Sequence, residues 1–115
     1  MKPQAVSPPP NLTPAMLHVM LALTDGNLHG YAIMQRVESI SAGSMRLGPA
    51  SLYGAIKRLL DAGLIEESEA RPDPEHDDER RRYYRLTRGG RDAVKSETAR
   101  MSRLVNFARA RRLGS

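Results

Sequence analysis

The feature that most constrains the fold is the run GPASLYGAIKRLLDAGLI, residues 48–65. Its apolar residues Leu52, Ala55, Ile56, Leu59 and Leu60 recur at spacings of three and four, which predicts one buried stripe of an amphipathic helix. Ala50, Gly54, Lys57 and Asp61 fall on the other side, free to touch something else. Pro49 suits the first helical position, where its missing N–H costs no intrahelical bond. Gly63 suits the position just past the end, where a left-handed conformation closes the helix. Leu64 and Ile65 then open a strand. The chain must fold around a short helix that turns tightly into a sheet and gives only one side to a core.

Upstream, Thr13 and Pro14 read as an N-cap followed by proline at the first helical position, starting a helix that runs to about Leu23 and stops at Asp25 and Gly26. Leu17, Met20 and Leu21 make one apolar face of it, and Met16, Val19 and Leu23 make another. A short helix apolar on both sides is expected to be buried on both sides, the second against another subunit. A second helix opens at His29-Gly30-Tyr31 and runs to about Ser41, with Ile33, Met34, Val37 and Ile40 inward. His29 stands where either an N-cap or a ligand or DNA contact would be. Met45 to Leu47 is expected to be a short strand.

Downstream, residues 66–70 and 80–86 are expected to pair as two strands, with Tyr84 and Leu86 inward and Tyr83 and Arg85 outward. The loop between them carries two prolines and the acids Asp73, Glu75, Asp77, Asp78 and Glu79, while the return strand begins with Arg80, Arg81 and Arg82. Those arginines suit either phosphate contact or local ion pairs with the loop acids. Thr87 can cap a last helix in which Val94, Thr98, Met101, Val105 and Ala108 follow steps of four and three, broadened by Leu104 and Phe107. The opposite face is arginine and lysine. Nothing later in the sequence covers that stripe, so a partner is expected to.

The 115 residues contain no tryptophan, one phenylalanine and no cysteine. They leave room for one modest core and an appended element, without disulfides or thiolate metal sites. Residues 1–11 are proline-rich, read as a flexible arm, and lack the apolar core of a signal or membrane anchor. A cytoplasmic protein with no membrane contact is the expectation. The net charge is +5, but it is uneven: from Arg88 onward eight basic residues face Asp92 and Glu97, whereas the first 87 residues hold ten bases and eleven acids. Overall basicity is therefore no argument for nucleic-acid binding by the first 87 residues, and local placement has to carry that case.

Catalytic chemistry lacks its parts. His18, His29 and His76 fall on separate elements with no second ligand at i+3 or i+4, so no metal site is expected. Gly48 to Ser51 is not a nucleophile elbow, and Gly89-Gly90 lacks the lysine and hydroxyl of a phosphate loop. Neither enzymatic activity nor a cofactor is expected.

Two helices, a short strand, a third helix and a hairpin are the order of a winged helix-turn-helix, mainly α with a small β wing. The sequence resembles the PadR family of bacterial transcriptional regulators in its short form with a single C-terminal helix. The motifs are LHGYAI (28–33), PASLY (49–53) with KRL (57–59), GLI (63–65), and RYYRLT (82–87) with Gly89 close behind. Together they span residue 12 to about 95. The resemblance implies a winged helix domain over residues 12–87 and a dimerisation helix over 88–115. It further implies a homodimer that represses transcription from a palindromic operator on double-stranded DNA, with a small aromatic effector in some members. Many relatives carry proline where this chain has Gly54, and the last helix offers only Phe107 to an aromatic effector.

On the helix wheel, Ser51, Tyr53, Gly54, Lys57 and Arg58 are the candidates for DNA contact, joined by Arg80, Arg81 and Arg82 from the strand. Tyr53 suits core packing almost as well, and Arg58 could pair with Asp61. The candidate dimer residues are Met16, Val19, Leu23, Val94, Met101, Leu104, Val105 and Ala108. The alternative function is a winged helix used as a protein–protein interaction module, which the acidic loop and near-neutral first 87 residues would suit.

Overall fold

The structure is a computed structural model, described for residues 11–69 and 81–113. Among these residues there are four helices and one small sheet: α1 (Pro14–Ala22), β1 (Leu28–His29), α2 (Gly30–Ile40), α3 (Pro49–Asp61), β2 (Ile65–Ser68), β3 (Tyr83–Leu86) and α4 (Arg88–Ala110). The sheet is antiparallel with order β1-β3-β2. Leu28 and His29 stand opposite Tyr84 and Tyr83, and Ile65 to Ser68 run opposite Leu86 back to Tyr83. The result is a mainly helical winged helix with a three-stranded sheet. The expected arm (1–11) lies outside the described residues except for Asn11, as do the acidic loop and Arg80.

Local chemistry sets the boundaries. The Thr13 hydroxyl accepts the Met16 N–H at 3.1 Å and Pro14 follows it, so α1 starts where the sequence predicts. Gly48 is extended and Pro49 begins α3; Gly63, at φ +73°, ends it and passes the chain into β2. Thr87 caps α4 by accepting the Gly90 N–H at 3.0 Å and donates to the Gly63 carbonyl at 2.7 Å, tying the end of α3 to the start of α4. Gly90 cannot be another residue without movement, because a β-carbon there would overlap the Leu64 carbonyl oxygen. The roughly 1 kcal/mol that glycine costs within a helix is set against that close approach.

The core gathers Met20, Leu23, Ile33, Leu52, Leu59 and Ile65, all fully buried, with Ala93 and Val94 joining from the start of α4. Four expectations need correction. First, α1 is buried on both sides, but by α2, α3 and α4 of its own chain, so Met16, Val19 and Leu23 leave no face for a partner. Val94 is likewise core. Second, the strand before the hairpin is Leu28–His29, not Met45–Leu47; those three residues form a link whose Met45 and Leu47 are only half covered. Third, Tyr83 is buried as well as Tyr84, since β3 is the middle strand and the His29 ring meets Tyr83 edge-on at 5.3 Å. Fourth, Ile40 at the end of α2 is exposed rather than inward, because the core-facing stripe ends at Val37.

Candidate nucleic-acid interface

Helix α3 divides as its wheel predicts. Leu52, Ala55, Ile56 and Leu59 are buried, while Ser51, Tyr53, Gly54, Lys57 and Arg58 are exposed. Lys57 Nζ pairs with Asp61 at 3.1 Å, so Lys57 rather than Arg58 takes that carboxylate. Both groups are solvated, so the pair contributes at most a few tenths of a kcal/mol, roughly, and opens readily toward a stronger anion. A β-carbon at Gly54 would meet nothing within 4 Å. Packing does not demand glycine there, and the bare backbone lets an outside surface come close.

Beside α3 runs β3. Arg82 pairs with Glu67 at 3.0 Å and Arg85 with Glu66 at 2.7 Å, across the strands that set these residues near one another. Local ion pairing therefore exists, with the acids of β2. Arg81 is exposed, and its Nη1 lies 3.2 Å from His29 Nε2. The exposed pairs leave Arg82 and Arg85 only weakly held.

A concavity of about 440 Å³ joins these elements, lined by His29, Gly30 and Tyr31 at the start of α2, Tyr53 of α3, and Arg81, Arg82 and Tyr84 of the wing. His29 caps α2, its Nδ1 accepting the Ala32 N–H at 3.2 Å. Tyr53 is 52 % exposed yet its ring lies over Gly30, so it both packs and faces outward. Tyr84 is only 4 % exposed. Burial, with the Glu67 carboxylate second and Tyr53 third, pushes its hydroxyl above the ordinary tyrosine pKa against the opposing pull of Arg82. It therefore remains a neutral donor. The sequence flagged His29 and Tyr53 but missed Gly30, Tyr31 and Tyr84 as neighbours, because LHGY and RYY are more than fifty residues apart and only strand pairing joins them.

Among the described residues nothing covers the far half of α4. Met101, Leu104, Val105 and Phe107 are exposed, Leu104 at 57 % and Phe107 at 56 %, and Ala108 is half-buried. The Arg111 guanidinium lies 3.5 Å over the Phe107 ring, and Arg100 makes two bonds to Glu97 at 3.0 and 2.7 Å. Among the described residues no group of three or more His, Cys, Asp or Glu could hold a metal ion. No described helix is long and apolar enough to cross a membrane.

The transcriptional regulator PadR-like family model matches residues 17–96. Over 90 residues, 78 % of this chain, the sequence is 41 % identical to an uncharacterized 37.1 kDa protein in a transposon of Streptomyces fradiae. The chain spans only 24 % of the length of that relative. Among solved structures, it is similar to a PadR family transcription regulator from Clostridium difficile, with a TM-score of 0.67, 21 % identity and coverage of 84 % of this chain and 95 % of that one. It is also similar to Bacillus subtilis PadR in complex with operator DNA, with a TM-score of 0.62, 18 % identity and coverage of 76 % and 48 %. At such identities the two structures speak for the fold.

Proposed function

The chain belongs to the PadR-like family of transcriptional regulators, and from that premise we propose that it binds a pseudo-palindromic operator as a homodimer and represses transcription there. The observation that carries this reading is the two-sided character of α3: four apolar side chains locked into the core and Ser51, Tyr53, Gly54, Lys57 and Arg58 turned outward, with Tyr53 sharing a concavity with Arg81 and Arg82 just ahead of β3. A helix held by one face can enter the major groove with the other, its early residues toward base edges and its cations toward phosphate. Lys57 and Arg58 alone supply little grip. Arg81 and Arg82 add to it, and a second copy doubles it, setting two such helices about 34 Å apart along one face of the duplex.

The second copy is assigned to the far half of α4. Met101, Leu104, Val105 and Phe107 form an apolar face that is exposed among the described residues, and a twofold pairing of that helix would cover it. Release by a small aromatic effector is a separate question, addressed by thermal shift against planar aromatics.

Gel shifts with Lys57→Ala and Arg81→Ala test the assignment: each lowers operator affinity while sedimentation shows an unchanged mass. Unchanged midpoints for both would remove α3 and the residues leading into β3 from the interface. Salt separates DNA binding from the alternative of a protein-docking module, since phosphate contacts weaken steeply between 50 and 200 mM salt, by about 10³ or more for six contacts, and apolar docking hardly responds.

A further inference from the structure

Apart from proline, glycine is the poorest helix former. In the described helices it stands in the first turn of α2, as Gly30, in the first turn of α4, as Gly89 and Gly90, and beyond a first turn only as Gly54 of α3. Close packing accounts for Gly30 and Gly90, against the Tyr53 ring and the Leu64 carbonyl. A positive φ accounts for Gly26, Gly43 and Gly63. Gly54 has neither reason. Its backbone is helical, the residue is exposed, and a β-carbon there would find no described atom within 4 Å. The fold would accept a better helix former at this position and gain stability from it.

Gly54 has nothing to offer a ligand except its smallness. It carries no side-chain donor or charge, and in mid-helix its N–H is committed to the carbonyl four residues back. Its neighbours one turn away on the outer face are Ser51, Lys57 and Arg58, a hydroxyl and two cations, all exposed. Leu52, Ala55 and Ile56 anchor the other side in the core, so the face that points outward is fixed. How far the hydroxyl and the cations reach into a facing surface then depends on how closely the backbone between them can approach. Phosphates on the rim of a duplex are met by long side chains and do not require such an approach. Base edges on the floor of the major groove do, because the helix has to enter the groove to reach them.

We propose that Gly54 is a specificity-determining position of α3: its missing β-carbon lets the helix sit deep enough in the major groove for its outer face to meet base edges. A single methyl group there lifts that face away. The inference rests on the DNA reading of the preceding subsection and adds that residue 54 supplies depth, whereas Lys57 and Arg58 supply charge.

The test is Gly54→Ala in the full chain, with Gly89→Ala, the same exchange in the first turn of α4, as control. Urea unfolding should give both variants a raised midpoint. Fluorescence anisotropy then compares a duplex that the wild type enriches from a random pool with an unrelated duplex of equal length. Gly54→Ala should bind the enriched duplex roughly tenfold more weakly, the scale of one lost base-pair contact, and the unrelated duplex as the wild type does. Gly89→Ala should match the wild type on both. Undiminished affinity of Gly54→Ala for the enriched duplex overturns the proposal and leaves the DNA reading standing. Equal weakening on both duplexes would set Gly54 against the backbone instead of the bases, and also overturns it. So does a lowered urea midpoint for Gly54→Ala, since the fold would then need glycine there, and so does the same loss of binding in Gly89→Ala, since proximity would not be its cause. A wild type that enriches no duplex defeats the DNA reading itself, and the proposal with it.

Discussion

The Tyr53 hydroxyl occupies the space that a β-carbon on residue 30 would need, and its ring carbon Cζ would stand 3.0 Å from that atom. One aromatic ring thus fits the start of α2 to the outer face of α3, two elements that have to keep their mutual position if a duplex is to meet both. Gly30→Ala should force the ring aside, costing about 1–3 kcal/mol of stability as overpacking does and lowering duplex affinity. In denaturant titrations Gly30→Ala with Tyr53→Ala should recover much of that loss, because the partner that collides is gone. Purely additive losses would mean that the two residues do not meet.

The junction of α3, β2 and α4 gives a sharper contrast between neighbours. Gly90→Ala drives a methyl into the Leu64 carbonyl, whereas a β-carbon at Gly89 meets nothing closer than 3.7 Å. Thermal unfolding should show Gly90→Ala destabilised by about 2 kcal/mol or more. Gly89→Ala should be stabilised by up to about 1 kcal/mol through helix propensity alone. Equal effects would contradict the packing of α4 on Leu64.

How far the sequence disclosed this depended on the range of the interaction. Caps and stops are local chemistry, so Thr13, Pro49, Gly63 and Thr87 placed the helix boundaries correctly, and the spacing of Leu52 to Leu59 gave the buried side of α3. Two-residue β1 has too few positions to show a period of two. Tyr83 alternates like an outward residue, yet the middle position of β3 and the His29 ring bury it. The two apolar faces of α1 pointed rightly to burial on both sides, but sequence alone could not say that the start of α4 folds back over it. The meeting of His29 with Arg81, at a separation of 52 residues, had no local signal at all.

The burial pattern of α4 separates residues of one stripe by their consequences. Met101→Glu should place a charge in the proposed seam and convert a dimer to a monomer in analytical ultracentrifugation with little change in the monomer's fold. Met16→Ala removes core volume instead and should cost about 2–5 kcal/mol. A Met101→Glu protein that still sediments as a dimer would exclude this part of α4 as the seam.

After α2 the chain turns through Ala42 at φ +52°, followed by Gly43 at φ +82°. A β-carbon in the left-handed region costs roughly 1 kcal/mol. Ala42→Gly should therefore raise the unfolding free energy by up to about that amount, read from the midpoint of a urea titration. A loss of stability would mean that residue 42 is not left-handed.

The most direct test of the central claim is selection of binding sites from random duplexes by the wild type, repeated with Lys57→Ala. If α3 reads the major groove in a twofold dimer, the wild type enriches an inverted repeat with half-sites about one helical turn apart. Lys57→Ala should then lose preference at one symmetric position in each half. Enrichment of no sequence, of an unrepeated site, or of the same site equally well by both proteins would contradict it.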